Sequence, residues 1–205
     1  MAGPTSSILL QNIPDEIQKG RIYNVLSEIS SSREGNDFWV NDTSKIDGTS
    51  KTKGQPFGIS FDEINEKYYA YDEFELMQIE EFADFMPKFD IGFFAMCNGE
   101  IDHRILGELT YFFAKEFDGI IDFDGAIYFY DLLPKEIKKD GIGEFMEKIE
   151  WSAILAYHEA IVKEVNGKIH PIEYETINHT TWAYNICDVE FMKNWLKHPR
   201  FHMIK

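Results

Sequence analysis

The chain has 205 residues, of which 44% are hydrophobic and 15% aromatic, and this composition excludes a disordered protein. It carries 36 acidic and 20 basic side chains, and its formal net charge of −16 would repel nucleic-acid phosphates and anionic membrane surfaces. We therefore expect a soluble protein with a sizeable core that binds neither nucleic acid nor membrane directly.

The cellular compartment is indicated by the N-terminus and the cysteines. Residues 1–4 lack the charged and apolar regions of a signal peptide, and no apolar run approaches the length of a membrane span. Cys97 and Cys187 are the only cysteines and do not form a CxxC motif, which favours two reduced thiols. These features predict a cytoplasmic protein.

The first quarter of the chain alternates strand and helix signals. Residues 5–10 have the pattern of a strand, and an amphipathic helix is predicted from Pro14 to about Ile29. The serine-rich segment 30–35 indicates the end of that helix, and residues 37–41 predict a second strand. Residues 42–56 are rich in Asp, Thr, Ser, Lys and Gly, and this composition predicts a flexible internal loop.

The middle of the chain contains the clearest helix. A strand is predicted at 57–61, mainly helical structure at 62–86, and a strand covered on both faces at 91–97. Apolar residues then recur at helical spacing through about 101–117.

A β-hairpin is predicted around Asp124 and Gly125. These two residues separate the β-rich segments 119–123 and 126–130, and Asp-Gly is typical of a two-residue turn with positive φ angles. We therefore expect the two segments to pair.

The remaining elements complete the predicted architecture. Helical or mixed structure is expected over 134–165, strands over 168–176 and 181–187, and a final helix over 189–197. Strands and helices are interleaved without a linker-like break. The sequence thus predicts an α+β fold, a single domain over residues 1–205 with a mixed or mainly antiparallel sheet and packed helices.

The histidines do not have the spacing of a metal site. His158 and Glu159 begin the motif of a zinc protease, but Val162 stands where the second histidine is required. Pro199 interrupts the helical register between His198 and His202. The chain also lacks a phosphate-binding glycine loop, so we expect neither a metal nor another cofactor.

Asp102 and His103 resemble part of a catalytic cluster. Adjacent residues at a helix start point in different directions, so Asp102 is expected to cap the helix and not to act with its neighbour. An enzyme whose site combines Asp102, His103 and the region of Asp122 stays open as an alternative hypothesis.

Residues 61–90 form the most acidic segment of the chain. They contain ten carboxylates and two lysines, a net charge of −8, with tyrosines interleaved. Carboxylates could simply form a solvated face, but mixed with tyrosines they also suit an interface with a basic protein. The candidate partner-binding residues are Glu66, Tyr69, Tyr71, Asp72, Glu73, Glu75, Glu80, Glu81 and Asp84.

Four stretches carry a resemblance to a known family. They are residues 1–4 (MAGP), 95–98 with 101–109 (AMCN and IDHRILGEL), 119–125 (GIIDFDG) and 195–205 (WLKHPRFHMIK). Together they resemble a bacterial family catalogued as domain of unknown function six-three-six-eight. The resemblance implies no activity and no site residues.

The function expected from these observations is partner binding. Small acidic cytoplasmic bacterial proteins of this type often act as immunity proteins, which suggests a non-enzymatic inhibitor of a basic toxin domain. Besides the enzyme alternative, an acidic mimic of nucleic acid that inhibits a DNA-binding protein would have the same charge.

Overall fold

Eight strands form one sheet in which every neighbouring pair is antiparallel. The computed structural model describes residues 3–65, 71–129, 151–176 and 179–204. The sheet order is β2-β3-β4-β5-β1-β6-β8-β7. In chain order the strands are β1 (Thr5–Leu10), β2 (Ser30–Glu34), β3 (Asp37–Asp42), β4 (Lys51–Glu63), β5 (Phe89–Ala95), β6 (Ile120–Asp122), β7 (Ile169–Glu175) and β8 (Thr181–Cys187).

Five α-helices pack on this sheet in the described residues, and together with it they confirm the predicted α+β fold. None of the described helices combines the length and the apolar character that crossing a bilayer requires. The helices are α1 (Glu16–Ile29), α2 (Glu73–Ala83), α3 (Glu100–Phe117), α4 (Trp151–Glu164) and α5 (Val189–Trp195).

The alternation of side chains along β1 separates two cores. Ile8 and Leu10 point to the larger core, which is filled by α1, α3, α4 and α5. Leu9 points to the opposite face, where Ile79 of α2 covers it. Because successive side chains of a strand point to opposite faces, one central strand supports helices on both sides. We call the side covered by α2 the second face of the sheet.

Local signals fix the helix ends. Asp15 and Gln18 form a reciprocal capping box at the start of α1. At the start of α3 the N-cap is Gly99, and Asp102 at the third helical position accepts a hydrogen bond from the Gly99 N–H at 2.7 Å. Asp102 therefore caps the helix as predicted, although from within its first turn and not from the N-cap position.

Three predicted segments have different boundaries in the structure. Residues 30–34 form β2, which pairs with β3 through a turn at Gly35, where φ is 60°. Within the predicted loop 42–56, a 3-10 helix (Thr43–Ile46) and the first part of β4 leave only 47–50 without regular structure. The predicted helix 62–86 is shorter, because β4 continues to Glu63 and α2 spans only 73–83.

The predicted hairpin at 119–130 is wrong for the described residues. Both edges of β6 are already paired, one with β1 and the other with β8, so no edge is left for the segment after the turn. That segment runs beside β8, where the Ile127 N–H donates to the side-chain oxygen of Asn185 at 2.8 Å. Of the two predicted turn residues, Asp124 has a positive φ of 54° and Gly125 does not have a positive φ. Tyr130 and the predicted helical residues 134–150 lie outside the described residues.

Candidate functional site

A pocket with an acidic lining lies on the second face of the sheet. Ser7 of β1 is opposite Asp122 of β6, and Asp90 of β5 is opposite Leu9, so these polar residues share one face of adjacent strands. The start of α2 forms one wall of a cavity of about 490 Å³. The lining residues are Ser7, Tyr71, Glu75, Asp90, Asp122, Asp124, Gly125, Tyr174, Trp182 and Tyr184, and we call this cavity the acidic pocket.

Asp122 lies at the centre of the polar contacts in the acidic pocket. Its Oδ2 accepts a hydrogen bond from the Tyr71 hydroxyl at 2.9 Å, and its Oδ1 accepts one from the Asp124 N–H at 2.7 Å. Burial raises the pKa of Asp122 to about 8, and the nearby carboxylates of Asp124 and Asp90 add to the increase. Asp122 therefore holds a proton at neutral pH.

Tyr184 and Glu75 meet on the α2 side of the acidic pocket. Glu75 closes the capping box of α2, where its Oε2 accepts a hydrogen bond from the Asp72 N–H at 2.9 Å. Burial raises the pKa of Glu75, although that hydrogen bond acts in the opposite direction. Burial also raises the pKa of Tyr184, and the negative charges of Asp122 and Glu75 raise it further. Tyr184 is therefore a neutral hydrogen-bonding group in this site.

The chemistry of the acidic pocket favours a cationic ligand group. Four carboxyl groups line it, and none of its described lining residues is basic. Aromatic rings from Tyr71, Tyr174, Trp182 and Tyr184 form much of the remaining lining, and aromatic faces attract cations. No group of three or more His, Cys, Asp or Glu side chains in the described residues is arranged to hold a metal ion.

The outer side of α2 combines apolar and acidic side chains. Phe74 is 55% exposed and Met77 is 65% exposed, and the two side chains are neighbours on the helix. Glu73, Glu80 and Glu81 are also exposed and lie on the same side of the helix, since residues three and four apart are neighbours on a helix. We call this group of five residues the α2 surface.

The structure divides the predicted partner-binding residues between two places. Tyr71 and Glu75 line the acidic pocket. Glu66 and Tyr69 lie outside the described residues. The other members of the set are exposed on or next to α2, namely Asp72, Glu73, Glu80, Glu81 and Asp84.

The residues of the alternative enzyme site are not brought together. Asp102 and His103 belong to α3, which packs in the larger core, whereas Asp122 points to the second face on the other side of the sheet. Asp102 also accepts a hydrogen bond from Gln55 at 2.5 Å, and the Nδ1 of His103 accepts one from the Met203 N–H at 3.1 Å. Both side chains hold chain segments in place, and the sheet separates them from Asp122.

A second cavity of about 470 Å³ has basic side chains in its lining. Arg104, Lys193 and Lys197 lie there beside Glu108, and we call this cavity the basic cleft. Glu108 accepts hydrogen bonds from the Thr43 hydroxyl at 2.6 Å and from the Thr49 N–H at 2.9 Å. Its carboxylate therefore fixes the loop between the 3-10 helix and β4.

Sequence analysis did not identify several lining residues of the acidic pocket. Asp90, Tyr174, Trp182 and Tyr184 come from three strands and converge only in the folded sheet. One usable signal exists in the sequence. Asp90 lies between Phe89 and Ile91, and Asp122 follows two isoleucines, so each is an acid inside a strand that is otherwise buried.

Comparison with known proteins identifies a family. A model of the family of unknown function DUF6368 matches residues 2–205, so the chain belongs to this family and the resemblance of the four stretches is confirmed. Searches of curated proteins and of solved structures found no match.

Proposed function

We propose that this member of the DUF6368 family is a non-enzymatic binding protein, a bacterial immunity protein that neutralises a basic toxin domain in the cytoplasm. The observation that carries the proposal is the α2 surface. It joins two exposed apolar side chains with three exposed carboxylates on one side of a helix.

The apolar part of the α2 surface supports contact with a protein. Exposing Phe74 and Met77 to water costs free energy that burial against a partner would recover, at roughly 25 cal/mol per Å² of apolar surface. A helix that served only to keep the chain soluble would not need these side chains. Phe and Met are also enriched at protein interfaces relative to other surfaces.

The charged part of the α2 surface supports a basic partner. Glu73, Glu80 and Glu81 contribute three of the negative charges that give the chain its net charge of −16. The negative electrostatic field of such a protein accelerates its encounter with a positively charged surface. The same field repels nucleic acid. Long-range attraction between protein surfaces weakens as salt shortens the Debye length, which gives the proposal a measurable signature.

The test uses a basic toxin domain sought among the genes adjacent to the one for this protein, and the lack of such a gene would count against the immunity function. We expect the triple substitution Glu73→Lys, Glu80→Lys and Glu81→Lys to slow association at least about tenfold at low salt, because it reverses the charge that attracts the partner. At about 300 mM salt the difference should be much smaller. Stopped-flow association rates at both salt concentrations measure the effect, and growth rescue of toxin-expressing cells gives the functional readout.

The matched control changes the same number of charges elsewhere. Glu28, Glu34 and Glu159 are exposed and lie outside the α2 surface, so their triple replacement by Lys gives the same net charge. Association of the control at the wild-type rate assigns the effect to the α2 surface. If both triple variants associate at the wild-type rate, the proposed surface is wrong. Competition between this protein and DNA for several unrelated DNA-binding proteins would instead favour nucleic-acid mimicry.

A further inference from the structure

We infer that the basic cleft binds a small organic anion, a carboxylate or phosphate group attached to an apolar body. The inference goes beyond the proposed function and does not depend on it. Helices α3 and α5, which form two walls of the cleft, pack in the larger core, whereas α2 lies on the second face of the sheet. A ligand in the basic cleft therefore leaves the α2 surface free.

The first argument is the pair of lysines at the cleft. Lys193 lies in the last turn of α5 and Lys197 in the turn that follows it, and both side chains are exposed. Among the described residues no carboxylate forms an ion pair with either lysine, although the protein has 36 acidic side chains for 20 basic ones. Like charges at this spacing repel each other. An anion bound between them would offset that repulsion.

The second argument is the guanidinium of Arg104, which the fold holds in place at the cleft. Its Cζ lies 5.0 Å from the centre of the Phe201 ring, and it donates one N–H to the Leu196 carbonyl. That hydrogen bond already places a cation at the carbonyl end of α5, so Lys193 and Lys197 are not required for this purpose. A guanidinium has five N–H donors in one plane, and the remaining donors suit the paired oxygens of a carboxylate or phosphate.

The two carboxylates that line the cleft form no ion pair with its cations. Glu108 is four residues from Arg104 on α3, but its carboxylate accepts hydrogen bonds from the Thr43 hydroxyl and from the N–H and hydroxyl of Thr49. Asp47 is exposed at the end of the 3-10 helix. The lining thus has three basic groups and two acidic ones, a positive balance in a protein whose net charge is −16.

The chain around the cleft strengthens this local positive charge. Residues 193–205 contain four basic side chains and no acidic one. At physiological ionic strength the Debye length is about 8 Å, so carboxylates beyond that distance act on the cleft only weakly. The nearby cations therefore determine which charge the cleft accepts.

The basic cleft is a preformed cavity with an apolar part. Its volume of about 470 Å³ is in the range of small-molecule sites, and Ile46, Tyr111 and Leu196 contribute apolar surface. Gly107 lets the chain after α5 pack closely on α3, since a Cβ at this position would lie 2.6 Å from Phe201 Cζ. The loop after the 3-10 helix is held by hydrogen bonds as well, so little ordering is required when a ligand binds. An anion with an apolar body would use both parts of the lining.

The test compares four small compounds at constant ionic strength. Phenyl phosphate and phenylacetate carry the two anionic groups on an aromatic body, benzyl alcohol has the ring without a charge, and inorganic phosphate has the charge without a ring. We expect phenyl phosphate to shift the backbone amide signals of Gly48, Tyr111 and Lys197 in a ¹⁵N NMR titration, with a dissociation constant in the ~1–10 mM range. The affinity for phenylacetate relative to phenyl phosphate assigns the anionic group. Inorganic phosphate should bind at least about fivefold more weakly, and benzyl alcohol should cause no saturable shift at these amides.

A double variant tests whether the lysines provide the binding charge. Lys193→Gln with Lys197→Gln removes two charges from exposed positions, and we expect it to weaken binding of the tighter aromatic anion at least about tenfold. The matched control is Lys53→Gln with Lys88→Gln, which removes two exposed charges outside the cleft and should bind as wild type does.

Three results would each overturn the inference. The first is the absence of shifts at the three amides with about 50 mM of either aromatic anion. The second is binding of benzyl alcohol or inorganic phosphate as tight as that of the aromatic anions, because one part of the lining would then contribute nothing. The third is wild-type affinity in the Lys193→Gln and Lys197→Gln variant.

Discussion

The acidic pocket and the basic cleft have nearly equal volumes, about 490 and 470 Å³, and opposite chemistry. In the basic cleft two of the charged groups, Glu108 and Arg104, are engaged by the fold. Glu108 accepts hydrogen bonds from Thr43 and Thr49, and the guanidinium of Arg104 donates to the Leu196 carbonyl at the end of α5. In the acidic pocket, burial and neighbouring carboxylates raise the pKa of Asp122.

In this respect the polar groups of the acidic pocket are less fully explained by the fold than Glu108 and Arg104 of the basic cleft are. Hydrogen bonds that hold a loop and a helix end account for Glu108 and Arg104 of the basic cleft. Packing alone does not account for the three buried carboxyl groups of Glu75, Asp90 and Asp122 on the second face of the sheet, since burial next to other carboxyl groups destabilises the charged form of each. Buried carboxyl groups with a raised pKa are a better indicator of a binding site than the volume of a cavity is.

The largest effect is expected at Asp122. Its pKa is about 8 in the folded protein against an ordinary value of 3.8. Between these values the folded state keeps a proton that the unfolded state has released, so this group makes the free energy of unfolding decrease as pH rises from about 4 to 8. Asp122→Asn removes this titration, and the variant should be more stable than wild type at pH 8.5. Between pH 4 and pH 8.5, the free energy of unfolding of the variant minus that of wild type should increase by on the order of 5 kcal/mol.

Urea unfolding of wild type and Asp122→Asn at three pH values measures this prediction. The asparagine oxygen can still accept the Asp124 N–H, while its amide donates to the oxygen of Tyr71. Glu28→Gln, an exposed acid on α1, serves as the control and should show the wild-type pH dependence. A stability difference between Asp122→Asn and wild type that stays constant from pH 4 to 8.5 would contradict the raised pKa.

A smaller effect is expected at Glu108 of the basic cleft. Glu108→Ala removes the acceptor for the Thr43 hydroxyl and for both polar groups of Thr49, and should destabilise the protein by about 3 kcal/mol. Glu108→Gln keeps an acceptor for Thr49 and should cost less than half as much. Chemical denaturation gives both values, and equal stability of the two variants would show that these hydrogen bonds do not fix the loop.

The smallest of the three effects is expected at Asp102, a buried aspartate whose contacts resemble those of Glu108. It accepts hydrogen bonds from the Gly99 N–H and from Gln55. Asp102→Ala should cost about 2 kcal/mol, because α3 loses its cap and Gln55 loses its partner. Neutralisation of the toxin domain should persist at temperatures where the variant is folded. Loss of neutralisation with an unchanged melting temperature would instead revive an enzymatic role for this region.

Sequence reasoning succeeded where local rules determine the structure. The apolar repeat of α3 predicted a helix within one residue of its observed start, and β7 and β8 were predicted within one residue at each end. Helix α3 buries one stripe at helical spacing, and β7 and β8 are short β-rich segments separated by a turn, so these signals are visible in a short window.

Sequence reasoning failed where distant segments compete for the same place. Asp124 and Gly125 have the composition of a hairpin turn, but β1 and β8 occupy both edges of β6, and β8 lies about sixty residues further along the chain. The acidic pocket escaped prediction for the same reason. Its lining comes from β1, β5, β6, β7, β8 and the start of α2, and sequence spacing does not reveal that these segments meet.

The central position of β1 has a consequence for how the protein folds. β1 is made first, but its neighbours in the sheet are β5 and β6, and the Thr5 N–H donates to the carbonyl of Ile204 at 3.3 Å. The middle of the sheet therefore depends on contacts between segments that are synthesised far apart in time. Such long sequence separations slow folding, because chain entropy is lost before the contacts that compensate for it are formed. We therefore expect both edges of β1 to stay unpaired during synthesis until β5 has left the ribosome, and the second edge until β6 follows.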